Sequence, residues 1–332
     1  MSAGSRTNSP DDWRPGASLQ ALRARAGMLA DLRAYFAAAG VLEVETPLAG
    51  PAAGTDPALQ PLRARYAGPV YPRGVDLYLQ TSPEFAMKRL LAAGSGPIYQ
   101  ICKAFRDGEA GRLHNPEFSI LEWYRPGVAL STLIDEVADI ARLVLGAPNL
   151  AIERHSYAAL FDERLGIDVF SVDVPSLRDA AKQHHLLGAD RFTLDRDGWL
   201  DLLLSHLVQP DLGTDSLCFV TDYPASQAAL ARLNPDGRTA ARFELFHHGI
   251  ELANGFSELT DADEQRARFE RTNAIRTSVN REPVEPDERF LESLGQGLPE
   301  CAGMALGVDR LVAALLGETC IDDVKCFGSE EL

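Results

Sequence analysis

Two strand patterns joined by a long polar loop constrain this chain more than any other feature. Residues 98–106 (IYQICKAFR) and 117–125 (EFSILEWYR) flank the turn-rich stretch DGEAGRLHNP. A pair of this kind folds back on itself as a long-looped antiparallel hairpin. Side chains alternate along a strand, so Phe118, Ile120, Glu122 and Tyr124 share one face. Helical patterns surround the hairpin. Ser18 reads as the N-cap of a helix carrying Leu19, Leu22, Ala26, Leu29, Leu32 and Phe36 and stopped by Gly40. VLEVETP begins as a strand that Pro47 ends, and residues 51–76 read as loops with short strands. Ser82 and Pro83 open a helix over 83–93, and an amphipathic helix covers 130–145. Residues 150–215 read as helical without recognisable chemistry. Strands return at 216–222 and 241–259, a charged helix spans 261–279, and AGMALGVDRLVAALLG reads as a small-residue turn entering an apolar helix. The expected architecture is α+β, one domain over 18–328 around an antiparallel sheet, after a disordered tail at 1–17.

Charge narrows the function. The 332 residues carry 48 acids against 32 bases, a net charge of −16. Such a surface is poorly suited to nonspecific nucleic-acid binding and better suited to a cationic substrate or basic partner. The five cysteines, Cys102, Cys218, Cys301, Cys320 and Cys326, are widely spaced and form no CxxC pair. That pattern fits a reducing cytoplasm rather than a disulfide framework or zinc site. The first seventeen residues hold no apolar signal segment, and no apolar run is long enough for a membrane span.

Four groups of residues carry candidate chemistry. The hairpin face places Glu122 between Ile120 and Tyr124. The hairpin loop holds Arg106, Arg112, His114 and Asn115, and guanidinium groups grip phosphate oxygens in bidentate fashion. In GIELANGFSEL, Glu251 and Glu258 are seven apart, which in a regular strand puts them on opposite faces. A bend at Asn254–Gly255 would bring them together as oxygen ligands for Mg²⁺. In GMALGVDR, Gly303 and Gly307 allow close backbone approach ahead of Arg310. Each group alone also has an ordinary reading: a solvated glutamate, a basic loop, two surface acids, a glycine-rich helix start. The pairs His184–His185 and His247–His248 read as polar residues rather than metal ligands.

Their order along the chain resembles the three signature motifs of class II aminoacyl-tRNA synthetases. TSPEFAMKRLL, FRDGEAGRLHNPEFSILEWYR, GIELANGFSEL and GMALGVDRLV are similar to the catalytic domain of lysyl-tRNA synthetase, over roughly 18–126 and 218–328. The resemblance implies a mainly antiparallel six- or seven-stranded sheet flanked by helices, a homodimer built through the first motif, and ATP with Mg²⁺. It implies that Arg106 holds the α-phosphate and Arg310 the γ-phosphate, that Asn115 lies beside the nucleotide and Phe118 stacks on adenine. Asp107, Gly108, Glu109, His114, Leu252 and Gly307 complete the ATP side. Glu251 and Glu258 face Mg²⁺. Ser82, Pro83, Glu84, Glu122, Tyr124, Asn254, Glu258 and Ala305 form the amino-acid side. Three converging carboxylates repel one another, and a diamino acid with two ammonium groups relieves that repulsion.

Three departures bear on the acceptor and substrate. Lysyl-tRNA synthetases carry an anticodon-reading domain of over a hundred residues before the catalytic domain, whereas about seventeen residues stand here. This resembles the short stand-alone paralogues that activate β-lysine and attach it to a lysine side chain of elongation factor P, with no tRNA involved. Ala305 stands where synthetases usually have glycine, and one added methyl can shift an α-amino group. Gly108 stands where the family usually has an acid, with Glu109 next to it. The alternatives are a truncated enzyme charging tRNA and an inactive regulatory paralogue.

Overall fold

The computed structural model describes residues 14–56 and 58–328. Residues 1–13 of the expected tail lie outside them. Gly16 and Ala17 are tied down by N–H donation to the carbonyls of Cys326 and Lys325, at 3.0 and 3.1 Å. The chain runs through α1 (Leu19–Ala38), β1 (Leu42–Glu43), β2 (Ala49–Gly50), β3 (Arg63–Gly68), β4 (Tyr71–Leu79), α2 (Glu84–Ala92), β5 (Ile98–Phe105), β6 (Glu117–Pro126) and α3 (Leu130–Leu145). It continues through β7 (Ala151–Ser156), α4 (Tyr157–Leu165), α5 (Val174–Gln183), α6 (Arg196–Leu203), β8 (Ser216–Pro224), β9 (Thr239–His247) and β10 (Ile250–Ser257). It closes with α7 (Ala262–Ser278), α8 (Glu288–Gly297), β11 (Cys301–Gly307) and α9 (Val308–Leu316).

The hairpin expectation holds: β5 and β6 pair antiparallel from Ile98↔Tyr124 to Phe105↔Glu117. They sit within an eight-stranded sheet of order β1-β5-β6-β11-β10-β9-β8-β7. Its middle strands, β5 to β8 in that order, are antiparallel; β1 and β7 pair parallel at the two edges. Residues 49–79 hold a separate three-stranded sheet, β2-β4-β3.

Three elements depart from expectation for physical reasons. The stretch Cys301–Gly307 is not a turn but the central strand β11, between β6 and β10. Its small residues lower β-propensity, yet a Cβ on Gly303 would lie 2.3 Å from Tyr124 Cδ1, so the sheet face there needs glycine. Strand β7 lies inside the segment expected to be helical; its alternation is short and edge-exposed. In α1 the buried stripe is Ala21, Met28, Leu32 and Phe36, while Leu19 is exposed. Ser18 caps this helix as expected, accepting from Ala21 N at 3.1 Å.

One face of the sheet carries the main core, where Phe36, Leu121, Trp123, Leu245, Met304 and Leu306 pack with α1, α3 and α9. The opposite face is covered at its two ends. Helices α2 and α8 meet Ile98 and Tyr124 at one end, and α4 to α6 meet Cys218, Val220 and Phe246 at the other. Between them a row of side chains crosses five strands in register: Gln100, Glu122, Ala305, Asn254 and Glu244. A row this polar in a sheet centre needs a partner for every group.

Behind this face, Asp309 at the start of α9 ties three elements together. It accepts from Arg25 Nη1 at 2.6 Å and from Ser119 N at 2.8 Å, while Arg25 Nη2 donates to Ser119 Oγ at 2.7 Å. The aspartate is buried. Asp309→Ala is expected to lower unfolding free energy by about 3 kcal/mol, since it leaves Arg25 half-buried without its carboxylate. Urea denaturation at neutral pH reads this directly.

Candidate active site

The polar row divides into two halves. At the β5–β6 end, Ser82 Oγ donates to Glu122 Oε1 at 2.6 Å and Tyr124 Oη donates to Glu122 Oε2 at 3.2 Å. Ser82 also accepts from Glu84 N at 3.1 Å, and so opens α2 while holding the glutamate. Glu122, Glu258 and Tyr124 are buried, and Glu84 is nearly so. Among these acids stands a residue the sequence reading did not single out. Lys88, one helical turn after Glu84, is fully buried with its Nζ 2.6 Å from Glu84 Oε1 and 2.6 Å from Glu258 Oε2. The i, i+4 spacing of Glu84 and Lys88 was visible in TSPEFAMKRLL; the second carboxylate, from a distant strand end, was not.

Burial sets the protonation of this pocket. Loss of water, reinforced by Glu84, pushes the Glu122 carboxyl up to about 8, against the opposing pull of the Ser82 and Tyr124 hydroxyls. Burial likewise raises Glu258, with Lys88 opposing. Burial alone would depress the Lys88 ammonium, but Glu258 and Glu84 together hold it above its ordinary value.

Glu251 and Glu258 do share a face, as expected, but by a different device. A bulge between Glu251 and Ala253 shifts the alternation by one: Glu251 opposes Phe246 and Asn254 opposes Glu244, two residues apart on β9. Gly255 serves the other face instead, where a Cβ would lie 2.5 Å from Phe243 Cε1 and 2.9 Å from Met304 Cβ. The metal role expected for Glu258 does not fit this geometry, because its carboxylate is enclosed and engaged by an ammonium. Glu251 is partly open. Its partner on the same face is Glu244, which accepts from Tyr223 Oη at 2.7 Å and from Arg242. Arg242 Nε also donates to Asn254 Oδ1 at 3.3 Å, so the Asn254 amide carbonyl is turned toward β9.

The other half is cationic. Arg310 donates to the Glu251 carbonyl at 2.9 Å and carboxylate at 3.2 Å, and to His114 Nε2 at 2.9 Å. His114 is held below its ordinary value by burial first and by Arg310 second, so it accepts as a neutral ring. The Arg106 guanidinium lies 4.8 Å from the centre of the Phe118 ring, with Glu109 3.5 Å away. Glu109 therefore approaches the arginine from beyond Gly108, whose φ of +79° turns the loop. Asp107 is exposed, its N–H donating to Gln60 O at 2.7 Å. Two buried polar atoms here lack a partner among the described residues, Arg106 Nε and Asn115 Nδ2. Gly307 leaves open space above β11: the nearest atom to an added Cβ is Arg310 Cδ at 3.6 Å. Leu252, expected on the ATP side, is buried in the main core and contributes only backbone to this face. Pro83 precedes α2 without a side-chain cap.

The arrangement joins an anionic pocket, able to take ammonium groups, to a pair of arginines able to take phosphate; Arg106 and the neighbouring Asn115 each bring a buried donor without a partner among the described residues. The floor between them is the small-residue series Gly303, Ala305 and Gly307, which share a face with Glu122 and Tyr124. Among the described residues no helix is long and apolar enough to cross a membrane.

The family model described as tRNA synthetases class II (D, K and N) matches residues 11–331. A protein of Salmonella heidelberg named elongation factor P–(R)-β-lysine ligase is 46% identical over 318 residues, 95% of this chain and 97% of that relative. A protein of the same name from Sodalis glossinidius is 47% identical over 319 residues, 96% of this chain and 98% of the relative.

Two outcomes are expected of the pocket. Affinity for a diamino acid should rise as pH increases from 6 to about 8, because the raised Glu122 must lose its proton to face an ammonium. Titration calorimetry in buffers of different ionisation enthalpy should detect proton release on binding. Gly303→Ala should weaken diamino-acid binding at least tenfold and leave ATP binding intact, because its Cβ collides with Tyr124 and with Glu258 Oε1 at 2.5 Å.

Proposed function

We propose, proceeding from the fact that the chain belongs to the class II tRNA synthetase family (D, K and N), that it is a ligase activating (R)-β-lysine with ATP and transferring it to a lysine side chain of elongation factor P. The observation that carries this reading is the pocket of three carboxylates and one ammonium beside two arginines. The names of its relatives, which match along nearly their whole length, support the acceptor.

The reaction has two steps. A substrate carboxylate oxygen attacks the α-phosphorus of ATP, and pyrophosphate leaves as the aminoacyl-adenylate forms. The amine of the acceptor lysine then attacks the acyl carbonyl; an amide bond forms and AMP departs. No protein nucleophile is needed, so catalysis rests on positioning and on charge stabilisation. Arg106 and Asn115, whose buried donors lack partners, suit the α-phosphate and base. Phe118 offers its ring to adenine once Arg106 swings to phosphate. Arg310, braced by His114 and Glu251, suits the terminal phosphate. Glu122, Glu84 and Glu258 face the two ammonium groups, while Asn254 and Ala305 set where the β-amino group rests.

Glu251, whose carboxylate is partly open, offers the hard oxygen donors that Mg²⁺ takes. When bound, Mg²⁺ would neutralise phosphate charge. The reading includes a cytoplasmic location and a homodimer built around α1 and β1, where Leu42 is exposed at the sheet edge.

Intact-mass analysis of elongation factor P after incubation with enzyme, Mg·ATP and β-lysine tests the reading, with α-lysine and lysine tRNA as parallel arms. A gain of one lysyl unit, larger with the β isomer, is expected; charging of tRNA with no change in the factor would overturn the acceptor. Arg310→Ala should lower ATP–pyrophosphate exchange on the order of 10²-fold or more with the fold intact.

A further inference from the structure

Among the described residues, Lys88 is the cation enclosed among the pocket acids. It reaches Glu84 from its own helix and Glu258 from the end of β10, each at 2.6 Å. The Phe290 ring of α8 lies 5.9 Å from its Nζ and closes the apolar side. The other ionisable groups facing this space are Glu122 and Tyr124 on β6 and Cys301 on β11. Lys88 itself is fully buried, so the side chain has no surface role.

We infer that Lys88 is a built-in counter-cation that fixes the charge of the amino-acid pocket and so matches it to substrates bearing two ammonium groups. The inference rests on the diamino-acid reading above. Glu84, Glu122 and Glu258 carry three negative charges when ionised, and Lys88 cancels one, leaving two. Two substrate ammonium groups complete the balance, while the substrate carboxylate lies toward Arg106. An amino acid with a single ammonium leaves one buried carboxylate unmatched and is rejected on desolvation grounds. Lys88 is a positioning residue: it also ties Glu84, on its own helix, and Glu258, at the end of β10, to one nitrogen.

A purely structural lysine and a charge-setting lysine differ in their pH behaviour. Without the ammonium, Glu84 and Glu258 lose their counter-charge and should bind protons more tightly. Ionising them then costs the folded state more, so stability should fall more steeply as pH rises through neutrality. The test compares the wild-type enzyme with Lys88→Met and Lys88→Ala. Thermal midpoints of the ligand-free proteins are read from pH 5 to 9, and lysine and ATP binding are titrated in the same samples. Lys88→Met is expected to bind ATP normally, lose thermal stability more steeply toward pH 9, and shift the pH midpoint of lysine binding upward by one unit or more. Lys88→Ala should recover lysine binding at least tenfold with propylammonium, which replaces the missing chain and charge, but not with propanol. Parallel pH profiles for wild type and Lys88→Met, or equal rescue by propanol, would overturn the inference. Failure of the wild type to bind any diamino acid would instead sink the functional reading, with the ligand-free pH slopes still deciding the role of Lys88.

Discussion

Three glutamate carboxylates and one lysine ammonium share a nearly dry space at the centre of a β-sheet, and much of the surrounding structure follows from making that tolerable. Buried charge is costly unless each group has a partner. Ser82 and Tyr124 donate hydroxyls to Glu122, and Lys88 supplies the counter-charge to Glu84 and Glu258. Each donor has a structural consequence. Ser82 must stand at the head of α2 so that Glu84 and Lys88 project together from one helical turn. Tyr124 must lie flat over β11, which restricts Gly303 to a hydrogen at Cα.

The sheet delivers these groups through register. Residues of β5, β6, β11, β10 and β9 meet in one row, and the bulge after Glu251 brings that carboxylate onto the same face. The helices packed at either end of this face leave the middle of the row, at Ala305 and Asn254, partly open between them. Behind it, Arg25, Ser119 and Asp309 fasten α1, β6 and α9, so the helix carrying Arg310 and the strand carrying Glu122 form one rigid unit. Phosphate grip and ammonium recognition are thus referred to the same frame, as positional catalysis requires.

Much of this was legible in the sequence because it is local. The two hairpin strands, the Ser18 cap and the helix over 130–145 follow from alternation, spacing and capping chemistry. The face shared by Glu122 and Tyr124 followed from strand period alone. What escaped depended on distant partners. Strand β11 hides behind alanine and glycine, and at Gly303 it is Tyr124, far away in sequence, that leaves no room for a side chain. The bulge at Leu252 carries no glycine or proline to announce it, and Gly255, where the bend was expected, instead serves packing on the other face. Lys88 drew no reading, since its spacing from Glu84 is that of an ordinary helical ion pair and Glu258 reaches it only from the end of β10.

Charge matching in the pocket is the centre of the account, and ATP–pyrophosphate exchange across a substrate series tests it most directly. β-Lysine, α-lysine and norleucine share a chain length, but norleucine lacks the terminal ammonium. The account predicts exchange with both lysines, faster with the β isomer, and none above background with norleucine. Exchange supported by norleucine at a rate comparable to lysine would contradict it.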